Sequence, residues 1–295
     1  MFPNIITLRQ VNNEKVKPIV IKGINDNEDK RPIKGSKLFP ELYANIFLCA
    51  KKKSGKTVVA SKIIKECSTR DTTVIVFCST LDKDPTHKVI KRYCKIQKIP
   101  YVGYTSMIED GVNILQELAN KLEEDAVEDE EEVDENKERL TRMEKRLMTL
   151  FNSDSEDEDG TTKKKKRNKF QSPEYIIFID DLSNELKSPT LVSFLKKNRH
   201  YRTKVIISSQ YIHDLVPASL KQMDYCLTFK GMPDGKLQKI HNDFDLTIPL
   251  EKLISIYQYS TLNKFSFLKI DIREEKYFRN FNCQFVLKDD DNNIE

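Results

Sequence analysis

The sequence predicts an α/β fold, a mostly parallel central sheet flanked by helices, on three observations. Short apolar, β-branched runs alternate with helix-like stretches, the runs are continuous in their apolar character, and a Gly-Lys-Thr loop joins the first run to the first helix. Continuous apolar runs suit strands buried on both faces, which is the habit of a parallel sheet. Alternation of strand and crossover helix then builds three layers.

The strands expected in chain order are Asn45–Cys49, Thr73–Cys78, Glu174–Ile179, Lys204–Ser208 and Tyr225–Phe229. The crossover helices expected between them are Thr57–Cys67, Thr86–Lys98, Asn113–Leu122, Thr190–Lys197 and Pro217–Met223, with Asp214 and Pro217 as cap and first-turn residues of the last. The first 40 or so residues and the chain after about Lys230 fall outside this repeat, although Phe265–Ile272 and Cys283–Leu287 read as strands. Between Asn263 and Phe281 aromatics alternate with charges, as they would in an edge hairpin or a nucleic-acid surface.

A charged insert divides the core. Residues 123–159 hold 17 acidic and 5 basic side chains, which leaves 45 basic against 29 acidic residues, a net of +16, on the rest of the chain. Blocks of like charge repel and cannot bury enough to fold, so residues 123–169 are expected to be mostly disordered around a short helix near Lys137–Leu150. Ser153 and Ser155 lie among acids as acidophilic kinase targets do, and Lys163–Arg167 reads as a nuclear-localisation or nucleic-acid patch. The organisation expected is an extension (1–40), a first core part (41–122), the insert (123–169), a second core part (170–282) and an acidic tail (283–295).

Composition narrows the class further. The chain has 295 residues and six cysteines with no C-x-x-C spacing, which argues against a disulfide framework or a structural zinc site. Its longest apolar runs, such as Ile46–Ala50 and Tyr175–Ile179, are five residues long. A membrane helix needs roughly 20. No basic-then-apolar leader opens the sequence, so a soluble intracellular protein is expected. The basic body fits a polyanion partner. His87, His213 and His241 have no ligand-like spacing and read as core or surface residues.

The chemistry concentrates in three stretches. Ala50-Lys51-Lys52-Lys53-Ser54-Gly55-Lys56-Thr57 follows a strand and opens a helix, as a phosphate-binding loop does, with Ala50 where the usual form has glycine. In such a loop backbone N–H groups face the phosphates. Gly55 lets the chain wrap closely, Lys56 bridges the β- and γ-phosphates of ATP, and the Thr57 hydroxyl binds Mg²⁺. The second stretch, Tyr175–Ile179, ends in Asp180-Asp181, which supplies an acid for the Mg²⁺ shell (Asp180) and one to polarise the attacking water (Asp181). From Lys56 to Asp180, less the insert, about 76 residues remain, room for two further βα units. The third stretch runs from Asn198 to Gln210 and places Gln210 at a strand end beside the acids, where it senses the γ-phosphate. Arg199 and Arg202 precede that strand, and either could reach a neighbouring subunit's nucleotide.

Together A-K-K-K-S-G-K-T, I-I-F-I-D-D and R-H-Y-R-T-K-V-I-I-S-S-Q followed by L-V-P-A-S-L resemble the genome-packaging ATPases of large nucleocytoplasmic DNA viruses, the poxvirus-type branch of the FtsK–HerA ATPases. The tail F-S-F-L-K-I-D with a later Y-F-R-N-F is similar to that branch as well, and the resemblance spans about residues 40–282 less the insert. It implies a RecA-like core and a homo-oligomeric ring, a hexamer by family habit. It also implies ATP-driven, Mg²⁺-dependent movement of double-stranded DNA into a capsid, with capsid or inner-membrane virion proteins as further partners. By position it implies that Lys56, Thr57, Asp180 and Gln210 are active-site residues, with Arg199 and Arg202 competing for the trans role. Asp180-Asp181 stands where cellular relatives have Asp-Glu. The implied place is the virus factory in the host cytoplasm or the virion, with the nucleus left open by the basic run at 163–169. The alternatives are another NTPase, such as a helicase or small-molecule kinase, and a non-enzymatic nucleotide-bound scaffold.

Overall fold

The structure, a computed structural model, describes residues 31–131 except Asp82 and Asp110, and residues 169–286; for residues 125–131 it describes the backbone only. Strands β1 (Asn45–Cys49), β2 (Thr73–Cys78), β3 (Tyr101–Tyr104), β6 (Tyr175–Asp180), β7 (Thr203–Ser209) and β8 (Tyr225–Phe229) run parallel in one sheet. Strands β9 (Phe267–Asp271), β10 (Lys276–Arg279) and β11 (Cys283–Gln284) extend it antiparallel, in the order β11-β10-β9-β8-β1-β7-β6-β2-β3. A small ribbon of β4 (Ile108–Glu109) and β5 (Val112–Asn113) stands apart.

The α/β architecture is the one the sequence predicts. All residues of β1, β2, β6, β7 and β8 are buried, as strands covered on both faces must be. Successive side chains point to opposite faces. Ile46, Leu48, Val74, Val76, Ile176 and Phe178 therefore face one layer with Ala60, Ile63 and Ile64 of α1 (Lys56–Cys67) and Ile90 and Cys94 of α2 (Pro85–Gln97). Phe47, Ile75, Phe77, Ile177, Val205 and Ile207 face the other layer. That layer is α3 (Ile114–Glu131), α4 (Pro189–Lys196), the short α5 (Pro217–Leu220), α6 (Asp234–Asp243) and α7 (Leu250–Ser260).

Local chemistry fixes the helix starts. The Asp84 carboxylate accepts the Thr86 amide at 2.7 Å ahead of Pro85, and the Ser188 hydroxyl accepts the Thr190 amide at 3.2 Å ahead of Pro189. Both are N-caps followed by proline at the first helical position.

Three expectations change. Helix α3 does not stop at Leu122 but continues to Glu131, and Glu123, expected in the insert, accepts hydrogen bonds from Lys197 and from the Tyr201 hydroxyl and so belongs to the fold. The last predicted crossover helix ends at Leu220, short of Met223. Beyond Lys230 lie α6 and α7, whose apolar stripes Leu237/Ile240 and Leu253/Ile256/Tyr257 cover the sheet. In the aromatic and charged stretch 263–281 the expected edge hairpin is present, as β9 and β10. Ser153, Ser155, Lys163–Arg167, the expected helix near Lys137–Leu150 and the last residue of the expected strand to Leu287 lie outside the described residues. Among the described residues no helix is long and apolar enough to cross a membrane.

The assigned extension also reaches into the core. Phe39 is fully buried against Tyr225 (ring centroids 4.7 Å apart) between two buried lysines. The Lys204 and Lys269 ammonium groups lie 5.3 and 5.2 Å from its ring centre and donate to the Glu41 and Leu38 carbonyls, each at 2.9 Å. Burial pushes both lysine pKa values below the ordinary range. Removing the ring would leave a cavity beside both cations. Phe39→Ala is therefore expected to cost about 3–5 kcal/mol in urea unfolding. Val58→Ala, at a 62% exposed position, should stay within about 0.5 kcal/mol. Equal midpoints for the two variants would contradict this packing.

Candidate nucleotide site at the strand ends

Because β1, β6, β7 and β8 are parallel, their C-terminal ends share one edge, the place where open α/β sheets bind ligands. The loop 50–55 leaves β1 there. The Ala50 amide donates to the Ser209 carbonyl at 3.0 Å, which continues the β1–β7 ladder by one residue. The Ala50 side chain is buried in the layer that α1 covers, so the methyl group that replaces the usual hydrogen is absorbed by the core. Lys53 and Gly55 both have left-handed φ, +62° and +96°, and turn the chain into α1. No side chain caps that helix. Its first N–H groups are available to an anion, which the helix dipole also favours.

The predicted residues meet at this edge. Lys56, nearly buried, pairs through Nζ with Asp181 Oδ1. The Thr57 hydroxyl lies 3.2 Å from Asp180 Oδ2, and Gln210 Nε2 lies 3.4 Å from Asp181 Oδ2. Strand β7 separates β1 from β6, and this brings Gln210 between the loop and the acids. Asp181 has a left-handed φ of +52° and donates its amide to the Ser208 carbonyl at 3.0 Å. Lys51, Lys52 and Lys53 are exposed around the loop.

Asp180 is 4% exposed, and burial pushes its pKa up. The hydrogen bond from His87, the charge of Lys56 and the facing Ser208 hydroxyl outweigh that, so the carboxyl stays below its ordinary range and ionised. Its Oδ1, buried, has no hydrogen-bond partner among the described residues, and neither has the buried Ser54 hydroxyl of the loop. An unpaired buried carboxylate oxygen is costly. One beside a threonine hydroxyl and an uncapped helix start fits a hydrated Mg²⁺ and a phosphate chain. Thr57 and Asp180 would hold the cation, and Ala50–Thr57 the phosphates.

Arg199 and Arg202 are not brought to this edge. They precede β7 and lie at the opposite, N-terminal end of the strands, where Arg199 shares a surface cavity with Asn45 and Asp224. Arg202 pairs with Glu174 at 2.7 Å, while Arg199 is exposed. Neither can serve the nucleotide site of its own chain.

Sequence reasoning missed two residues. Asp214 is not a helix cap; its Oδ2 accepts from the Ser209 and Ser183 hydroxyls, bracing the turns after β6 and β7. His87, read as a core or surface residue, lies 3.1 Å from Asp180 Oδ2. Its partner is 93 residues away, and nothing in the local pattern points to it.

A parallel sheet with a lysine–threonine loop, two acids and a glutamine at neighbouring strand ends has the form of a phosphate-loop nucleotide site. No protein-family model matches the chain. Over 131 residues, 41% of its length, it is 26% identical to the uncharacterized protein 075L of Invertebrate iridescent virus 6, and it spans about half (51%) of that relative. Among solved structures it is similar to the genome packaging NTPase B204 from Sulfolobus turreted icosahedral virus 2 in complex with AMP. That likeness has 18% identity and a TM-score of 0.45 over 80% of this chain and 96% of the other. It is also similar to the cytoplasmic domain of the Type VII secretion ATPase EccC of Thermomonospora curvata, with 10% identity and a TM-score of 0.41 over 77% and 24% of the two chains. Likenesses this low carry no argument about activity, which rests on the site's own geometry.

Gly55 gives the sharpest local test. A residue with a β-carbon there would have to hold the left-handed φ of +96°, and that carbon would lie 3.1 Å from the Phe265 ring. The left-handed conformation alone costs about 1–2 kcal/mol. Gly55→Ala is expected to weaken binding of a non-hydrolysable ATP analogue by about tenfold or more, with the fold retained by circular dichroism. Undiminished affinity would mean that this loop does not hold the phosphates.

Proposed function

We propose that the chain is a Mg²⁺-dependent ATPase motor that acts as a homo-oligomeric ring on double-stranded DNA and packages a viral genome. The observation that carries the ATPase reading is the meeting of Lys56, Thr57, Asp180, Asp181 and Gln210 at the ends of β1, β6 and β7, with one buried Asp180 oxygen left unpartnered. The DNA reading is supported by the net +16 of the chain outside residues 123–159 and by the motif resemblance.

Each residue then has a task. The loop amides and the start of α1 bind the phosphates, and Lys56 is placed to leave Asp181 for the β- and γ-phosphates. Bound Mg²⁺ would neutralise charge that develops on the phosphate oxygens. Asp181, freed from Lys56, orients and polarises the attacking water, and Gln210, within reach of the same carboxylate, reports the state of the γ-phosphate. Contacts to the DNA backbone give movement without sequence preference. Of the two arginines, both exposed, Arg199 suits the trans role better, because Glu174 already engages Arg202.

Steady-state hydrolysis with and without long duplex DNA tests this reading. Duplex stimulation is expected, together with loss of hydrolysis by about 10³-fold in Lys56→Ala and in Arg199→Ala. Mixing the two inactive variants should restore part of the rate, because one supplies intact loops and the other intact arginines. Hydrolysis indifferent to DNA would favour a kinase or another NTPase. No hydrolysis by the wild type would leave a nucleotide-bound scaffold.

A further inference from the structure

His87 stands outside every motif read from the sequence, yet it touches the residue on which the site turns. It is the third residue of α2, whose start is fixed by the Asp84 cap and Pro85. Its side chain is 1% exposed. The imidazole stacks on Phe178 (centroids 5.6 Å apart, planes at 22°), and its Nε2 lies 3.1 Å from Asp180 Oδ2. Phe178 and Asp180 are two residues apart on β6 and so share a face, and one ring reaches both.

An ionised carboxylate only accepts hydrogen bonds, so Nε2 must carry the proton. Asp180 Oδ2 thus receives two donors from two different helices, Thr57 of α1 at 3.2 Å and His87 of α2 at 3.1 Å. With that oxygen bonded twice, the carboxylate cannot rotate without breaking these bonds, of which the His87 bond is fully buried. Oδ1 remains as the buried oxygen without a partner. Aspartate has a soft, two-fold terminal torsion, and these bonds select one setting of it. Outer partners of this kind orient metal ligands, and their loss typically weakens metal binding about 10–100-fold.

We propose that His87 is a positioning residue that clamps Asp180, so that Oδ1 is presented to the hydrated cation of the nucleotide complex. This inference rests on the ATPase reading above. Two other roles suit the same side chain. It could be a plain core residue stacked on Phe178, or one of three donors, with Cys78 and Asp180, whose ligand atoms lie within 4.8 Å of one another and could take a thiophilic metal. The clamp is favoured over the second because His87 Nε2 already engages Asp180 Oδ2, a bond that a metal held through those two atoms would have to break. A metal held through the unpartnered His87 Nδ1 is the outcome that the zinc arm of the test detects.

The test uses the full chain with Mn²⁺ in place of Mg²⁺ and a non-hydrolysable ATP analogue, reading free Mn²⁺ by electron paramagnetic resonance. His87→Phe keeps a ring to stack on Phe178 and removes the donor. It is expected to weaken Mn²⁺ binding to the nucleotide complex about tenfold or more, while metal-free nucleotide affinity stays at the wild-type value. His87→Gln restores a donor and should recover most of the loss. Wild-type Mn²⁺ affinity in His87→Phe, or no recovery in His87→Gln, would overturn the clamp. So would one equivalent of zinc held through dialysis by the wild type and lost in Cys78→Ser. The wild-type protein gives a check independent of any variant. In ¹⁵N-histidine spectra His87 should be protonated on Nε2, and a bare Nε2 overturns the inference. If the wild type binds nucleotide without any Mn²⁺ site, the ATPase reading itself fails, which separates the two failures.

Discussion

A carboxylate buried at the end of β6 is the constraint around which this molecule is arranged. Asp180 is almost inaccessible, and a buried charge is tolerated only when it is paired and hydrogen-bonded. Its partners come from different parts of the chain: Thr57 and the charge of Lys56 from α1, and His87 from α2. Each helix is seated by its own apolar stripe on the same face of the sheet. The packing of that layer therefore sets the geometry of the acid, and the acid in turn ties both helices to β6. A change that loosens α2 would reach the site without touching a nucleotide.

The parallel sheet separates two chemistries by direction. At the C-terminal edge lie the loop, the two acids and the glutamine, braced by the Asp214 bonds to Ser183 and Ser209. At the N-terminal edge, Arg199 and Arg202 lie in the turn before β7. Strand β7 joins the two edges, with the arginines before its first residue and Gln210 just after its last. In the ring proposed above, this strand would link a neighbour contact at Arg199 with Gln210, the residue proposed to read the γ-phosphate.

Much of this was legible in the sequence, and for identifiable reasons. The five main strands are continuous apolar runs, and three of them, β1, β2 and β8, have the bounds the sequence predicts. The loop, acids and glutamine were legible because strand ends, a glycine turn and a helix start must occur in a fixed order. Short β3 escaped because Tyr-Val-Gly-Tyr is only partly buried and interrupted by glycine. Helix α6 escaped because its apolar residues, Leu237 and Ile240, are sparse among polar ones, and α7, although its apolar residues recur at helical spacing, because no phosphate-loop logic points to a helix there. Phe39, Glu123 and His87 owe their roles to partners far along the chain, and no local pattern carries that information.

The central claim is that Asp180 and Thr57 form the metal side of a nucleotide site. It is tested most directly by isothermal titration of a non-hydrolysable ATP analogue into wild type and Asp180→Asn, each with and without Mg²⁺. Mg²⁺ should tighten binding to the wild type by about tenfold or more, and Asp180→Asn should lose most of that gain while keeping its metal-free affinity. Binding to the wild type that ignores Mg²⁺, or the same Mg²⁺ gain in both proteins, would contradict it.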